Sequence, residues 1–395
     1  MNRRLHSLCD RMDEAGIDAA LLLYHRDVLY YAGTARPASL LVVSDRHSSG
    51  GPQRTAKLFV RRGMREIQDE ATVEDILPVR GFSSIVEAAA GLGLEGGVLG
   101  IELDATSTQL HQRISAAFVG WDFVDVSSTV LDQRLVKDEG EIAATRRAAT
   151  VADAGHLALA RVAAAGMSEL ELAAEVERAM RLAGHEGYQP LRHPGARGGG
   201  VLLMSGDNLT VRGGYGLVVT GGGMSPATPY GASARVVQRG DLIVLDIGST
   251  RHGYTADESR TFVAGNPTSM QRALFGVACQ AEEAVLEAVK PDVPVAHLYA
   301  VAEKVVDEGA DPLLAPGSLV LPGFVGHGVG LELDEPPVLW TREEMHLREG
   351  MVLAIEVEVS APAQRMMAKV EDTIVVRSDG AEPLTTAPRA LTICE

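Results

Sequence analysis

Apolar residues recur along the first third of the chain at spacings that alternate between helical and extended. Asn2–Ala15 carries them at helical intervals, and Ala19–Tyr24 is a short apolar run. Ser39–Ser44, Ala56–Arg61 and Val98–Leu103 read as further strands separated by Gly, Ser and Pro. The pattern predicts a small α/β domain. Near Leu135–Gly140 the texture changes, because Asp138–Val162 is a long, Ala-rich, charge-dotted stretch without Pro, which predicts a long helix. We place a domain boundary there, with residues 1–134 forming the first domain and 135–395 the second.

The second part contains a faint internal repeat at an offset of 126 positions, in which Arg147–Gly184 matches Ala273–Ala310 and Leu172 falls opposite Leu298. Each copy pairs a long helix, a short turn and a second amphipathic helix, and each is followed by strand-rich sequence. Two similar halves related by pseudosymmetry leave a crevice in which both can build a site.

Composition narrows the function. The 395 residues include 36 Lys and Arg against 53 Asp and Glu, a formal charge of −17. Such a chain repels phosphate backbones and anionic membranes, so neither nucleic acid nor membrane is expected as a partner. An apolar share of 46% is ample for two cores. No run of about 18 apolar residues appears and the first ten residues are polar and charged, so neither a spanning helix nor a secretory signal is expected, and the cytoplasm is the default compartment. Cys9, Cys279 and Cys394 are odd in number and far apart, which fits reduced thiols.

The informative chemistry is acidic. Leu242–Ile247 and Thr261–Ala264 read as strands flanking a connection with Gly and Tyr, so that Asp246 and Asp257 can converge from adjacent antiparallel strands. In GMVLAIEVEVS (350–360) the apolar flanks of Glu356 indicate a strand interior. KVEDTIVV (369–376) does the same for Glu371, and the turn around Pro362–Gln364 lets the two strands pair. Acidic residues are depleted from strand interiors and rarely buried alone, so four of them require a compensating cation. His327 lies between the pairs in the Gly-rich GFVGHGVGLELDEPP (323–337), where glycines let backbone and ring approach a ligand.

Four carboxylates balance two divalent ions. Oxygen-rich ligation with one imidazole suits manganese, cobalt, iron or zinc. Two such ions ~3.5–4 Å apart can bridge a water, lower its pKa towards neutrality and polarise a carbonyl, which is hydrolytic machinery.

Taken in order and spacing, these residues resemble the pita-bread metallopeptidase family, which includes methionine aminopeptidase, aminopeptidase P, prolidase and creatinase. Asp246 and Asp257 fit its first two ligand positions, with Ser259–Thr261 similar to its usual TRT. His327 fits the ligand histidine, and Glu356 and Glu371 fit the two ligand glutamates. The resemblance implies an α/β (α+β) architecture, with a creatinase-type first domain ahead of a pseudosymmetric pita-bread catalytic domain. DVLYYAG (27–33) corresponds to the family's NVLYLTG. A homodimer in which the first domain helps to close a neighbour's pocket is also implied.

Two departures bear on the reaction. Tyr230, in ATPYGASARVVQRGD (227–241), stands where family peptidases carry a histidine before the first metal Asp. Asp334, in ELDEPP, stands where they carry a second one. Those imidazoles flank the scissile bond in the family. Tyr230 can still donate a hydrogen bond and Asp334 can act as a general base. The leading expectation is an Xaa-Pro-type hydrolase of small peptides. The alternative is a small-molecule enzyme on the same fold, either a dimethylsulfoniopropionate-type lyase or a creatinase-like amidine or amide hydrolase, and behind it a non-catalytic recognition module.

Other features carry less. Gly198–Gly200 and Gly221–Gly223 lack the Gly-Lys-Ser/Thr ending of a phosphate loop and read as loops near the pocket. Arg192, His193 and Arg197 form a local basic group expected at the surface. Arg197 is the candidate for gripping a substrate carboxylate. Glu358 alternates with Glu356 and shares its strand face.

Overall fold

The computed structural model describes residues 1–45, 54–192, 200–214, 218–308, 313–314 and 317–395. The chain divides into two compact units, residues 1–134 with 192–194, and 135–191 with 195–395.

The first unit is built on six strands: β1 (Ala19–Leu22), β2 (Ala38–Val43), β3 (Thr55–Val60), β4 (Asp75–Pro78), β5 (Gly97–Ile101) and β6 (Trp121–Asp125), in the order β4-β3-β2-β1-β5-β6. The predicted helix spans Arg3–Ala15. The side chain of Asn2 accepts the Leu5 N–H at its start, and Gly16 in the left-handed conformation ends it. Leu21, Leu41, Phe59, Leu99, Ile114 and Phe118 belong to the core of this unit. Strands β4 and β6 were not foreseen, because their burial is too partial to leave a clear alternation in the sequence.

Arg192 corrects an expectation. It is buried, its Nη1 lies 2.9 Å from Asp27 and its guanidinium also pairs with Asp104, while Arg134 holds the other oxygen of Asp27 at 2.7 Å. A guanidinium tolerates such burial when two carboxylates meet its fork. Nothing in the local sequence names those distant partners. His193 and Arg197 lie outside the described residues.

The second unit carries β7 (Val201–Ser205), β8 (Leu242–Arg251), β9 (Tyr254–Ala264), β10 (Gly326–Gly328), β11 (Glu335–Val338), β12 (Val352–Ala361), β13 (Met366–Arg377), β14 (Gly380–Pro383) and β15 (Thr392–Cys394). The main path of the sheet runs β11-β10-β12-β13-β9-β8-β7. Two helix pairs accompany it, Glu139–Val162 with Glu169–Leu182 and Ser269–Ala288 with Val295–Glu308. The second helices of the two pairs begin 126 positions apart, as the repeat requires. Each pair has its own core. Leu159, Leu172 and Val176 pack with Ile243 and Leu245 of β8, whereas Leu274, Leu298 and Ala302 pack with Leu353, Val357 and Val370 of β12 and β13.

The long predicted helix is capped by Asp138, which forms a reciprocal capping box with Glu141. It runs straight through Gly155, where a Cβ would stand 2.6 Å from Cδ1 of Ile247. The glycine is a close-approach residue rather than a helix end. Among the described residues no helix is long and apolar enough to cross a membrane. The three cysteines are free.

Candidate metal centre

Strand pairing brings the predicted carboxylates to one face. Strands β8 and β9 form a hairpin closed by His252 and Gly253, both at positive φ, and they run longer than the apolar runs alone suggested. Asp246 pairs in register with Ser259, and Asp257 with Gly248, so the two aspartates are diagonal neighbours on one side of the ladder. On the adjoining hairpin Glu356 stands opposite Glu371 and Glu358 opposite Lys369. Residues two apart along a strand point the same way, so all four side chains share a face. The turn at Pro362–Gln364 joins the two strands as expected.

His327 enters on β10, opposite Ala354 of β12. The glycines beside it are required. A Cβ at Gly326 would meet the Ala354 carbonyl oxygen at 2.1 Å, and one at Gly328 would meet that of Pro336 at the same distance. The ring therefore projects from a strand pressed closer to its neighbours than side chains allow.

Asp257, His327 and Glu371 each present a ligand atom, all within 4.8 Å of one another. The Nε2 atom of His327 lies 3.8 Å from Asp257, 3.5 Å from Glu356 and 3.5 Å from Asp334, whose side chain is 61% exposed. Asp246 and Glu356 are joined through a residue that the sequence reading passed over. The Lys369 Nζ lies 2.7 Å from Asp246, 2.8 Å from Glu356 and 3.4 Å from Glu371. The signal was available, since a lysine in an apolar strand is as anomalous as the acids beside it.

The electrostatics show the strain of this assembly. Burial, with the charges of Glu371 and Asp246, holds the Asp257 carboxyl well above the usual range. Burial holds Glu371 well above the usual range as well, opposed first by Lys369 and reinforced by the charges of Glu356 and Asp246. Burial alone would lower His327, yet Asp334, Glu356 and Asp257 raise it to about 9. An added cation would favour the ligating form of each of these groups. Glu371 supplies the sharper indication. Ser259 Oγ donates to its Oε2 at 2.5 Å, while its Oε1 is buried with no hydrogen-bond partner. A buried, unsatisfied carboxylate oxygen beside an imidazole and a second carboxylate is a donor set that suits a divalent metal.

Glu358 is buried on the same face, and burial raises its pKa to about 6. Its Oε2 accepts the Val219 N–H at 2.7 Å, which anchors the segment leading to Tyr230. Tyr230 itself is half-buried, on a loop closed by the bonds from Gly231 N–H to the Thr220 carbonyl and from Gly223 N–H to the Gly231 carbonyl. Behind the ligand face Arg260 donates to the carbonyls of Ser259 and Glu371 at 2.9 and 2.6 Å and pairs with Asp372, which fixes β9 against β13.

The sequence pattern of metallopeptidase family M24 matches residues 143–378, and that of the creatinase/prolidase N-terminal domain matches residues 4–136. The chain is 27% identical to the Xaa-Pro dipeptidase of Pyrococcus furiosus over 395 residues, covering 99% of this chain and 100% of that one. Its fold superposes on the prolidase from Pyrococcus horikoshii OT3 with a TM-score of 0.80 at 25% identity, covering 99% and 100% of the two chains. The X-Pro aminopeptidase from Thermotoga maritima MSB8 superposes with a TM-score of 0.79 at 26% identity, covering 98% and 100%. With the fold, the order of the acids and the histidine all in agreement, the chain belongs to metallopeptidase family M24 and is a hydrolase.

Proposed function

We propose that this chain is a metal-dependent peptidase of the Xaa-Pro type, acting on small peptides or peptide-like amides. The observation that carries the reading is the convergence of Asp257, His327 and Glu371 around a buried carboxylate oxygen that lacks a partner. Asp246 and Glu356 complete the five-residue set, which suits manganese, cobalt, iron or zinc. When bound, the metal supplies Lewis-acid activation of the scissile amide and of the attacking water.

The remaining roles fall to the chain's own groups. Asp334 stands 3.5 Å from the His327 ring and is open to solvent, so it can take a proton from water and pass it to the leaving amine. The Tyr230 hydroxyl can donate to charge developing on the carbonyl oxygen. Arg197 is assigned to the substrate carboxylate. The proposal includes a cytoplasmic homodimer, which light scattering on the purified chain and fractionation of cells would read.

The test is an assay of the manganese-loaded protein on a panel of Xaa-Pro dipeptides and small amides, with products read by mass. Cleavage of Xaa-Pro bonds that is lost on chelation and restored by metal is the expected result. Elimination products, or turnover indifferent to chelation, would overturn the reading.

A further inference from the structure

We propose that Glu169 is a positioning residue for Tyr230. Its carboxylate clamps both arms of the loop that carries the tyrosine, so the placing of the Tyr230 hydroxyl depends on a side chain of the helix Glu169–Leu182 rather than on a metal ligand. The inference rests on the role given to Tyr230 above and deepens it.

Glu169 opens its helix and is fully buried. Such burial is costly for a carboxylate unless donors surround it. Its Oε1 accepts the Ser205 N–H at 2.7 Å and the Ser205 hydroxyl at 2.8 Å, at the end of β7. Its Oε2 accepts the Asn208 amide at 2.8 Å, the Ser233 N–H at 2.9 Å and the Ser233 hydroxyl at 2.6 Å. The backbone N–H of Glu169 donates in turn to the Arg235 carbonyl at 2.9 Å.

The single oxygen Oε2 thereby holds the chain on either side of Tyr230. Ser233 follows the tyrosine by three residues. On the other arm Asn208 relays the grip, because its amide donates to Glu169 while its carbonyl accepts the Gly222 N–H at 2.8 Å. Gly223 comes next and lies against the backbone of the tyrosine. A Cβ there would stand 2.6 Å from both the nitrogen and the carbonyl oxygen of Tyr230. The arms are tied to each other where the Gly231 N–H donates to the Thr220 carbonyl at 2.6 Å. Only an acceptor serves at Oε2, since neither the Ser233 N–H nor the Asn208 amide nitrogen can accept a hydrogen bond.

Glu169→Gln keeps the shape of the side chain and brings an NH2 group among those donors. Steady-state kinetics of the manganese-loaded full chain on an Xaa-Pro dipeptide, in a double-mutant cycle with Tyr230→Phe, tests the inference. Glu169→Gln should lower kcat by about ten- to a hundredfold, with KM and the calorimetric manganese affinity within about twofold of the wild-type values. In the Tyr230→Phe background the same substitution should cost less than about threefold, because the hydroxyl it positions is already gone. Equal losses in the two backgrounds, an undiminished kcat in Glu169→Gln, or a manganese affinity that falls with kcat would overturn the inference and leave the metal-dependent peptidase reading standing. Tyr230→Phe with the wild-type kcat would overturn the role of the tyrosine and this inference together. Absence of metal-dependent cleavage by the wild-type chain would overturn the peptidase reading as well. Should Glu169→Gln not fold, Asn208→Ala, which cuts the relay to Gly222, takes its place in the cycle with the same expected pattern.

Discussion

Glu356 and Glu371 stand directly opposite one another on β12 and β13, pointing to the same face of the sheet. Like charges so placed oppose strand pairing. The pair persists because Lys369 bridges their oxygens, and because the neighbouring Ser259 hydroxyl donates to Glu371. The sheet holds its ligands at a cost in stability, and that cost makes several consequences measurable.

Ser259→Ala should weaken metal binding without disturbing the fold. The hydroxyl fixes one oxygen of Glu371 and leaves the other aimed at the centre. Removing a group that orients a ligand typically costs ten- to a hundredfold in metal affinity, so a loss of about tenfold or more is expected by calorimetry. An affinity equal to that of the wild-type chain would show that the strand alone orients Glu371.

Asp257→Asn should separate stability from function. Burial and the charges of Glu371 and Asp246 work against the Asp257 carboxylate in the metal-free chain. A neutral amide of the same shape relieves that repulsion, so the metal-free melting temperature should hold or rise, while bound metal and activity are lost together. A marked fall in the metal-free melting temperature would contradict this account.

The four acids were legible because each interrupts an apolar strand, and His327 was legible because glycines bracket it. What the sequence concealed depends on contacts between distant segments. Lys369 belongs to the same anomaly as Glu371 two positions later, yet only the cross-strand register shows its ammonium bridging Asp246 and Glu356. Arg192 reads as a loop residue until Asp27 and Asp104 are seen around it. Gly155 reads as a weak point in a helix, and only the position of Ile247 explains it. The strand β8 extends to Arg251 because the left-handed His252–Gly253 pair can close a two-residue hairpin, which local apolarity does not report.

Gly326→Ala should be damaging twice over. The backbone there has φ of 145°, and a Cβ would overlap the Ala354 carbonyl at 2.1 Å. Relief requires β10 to move from β12, which carries His327 away from the other ligands. A loss of at least about 2 kcal/mol in urea unfolding is expected, together with weakened metal binding. The same substitution at Gly276, where nothing lies within 4 Å of the added atom, should be neutral or mildly stabilising and serves as the control.

A pH dependence of stability should arise in the first unit, far in sequence from the metal ligands. Glu102 is fully buried and accepts the N–H groups of Leu23 and Tyr24 at 3.0 and 3.2 Å. Burial, reinforced by the charge of Asp27, raises its pKa from 4.5 to about 8. Between those values the folded chain keeps a proton at this position that the unfolded chain has lost. Unfolding in that window releases the proton, so stability from this group is full below about 4.5 and falls as pH rises, at no more than about 1.4 kcal/mol per pH unit. Above 8 the carboxylate is ionised in both states and the loss levels off. Glu102→Gln keeps an acceptor for the two N–H groups and cannot ionise. The variant should therefore match the wild-type chain near pH 5 and exceed it at pH 8 to 9, in metal-free urea unfolding followed across that range. Parallel pH profiles for the two proteins would mean that Glu102 is ionised in the folded chain at neutral pH, and that its backbone hydrogen bonds outweigh its burial.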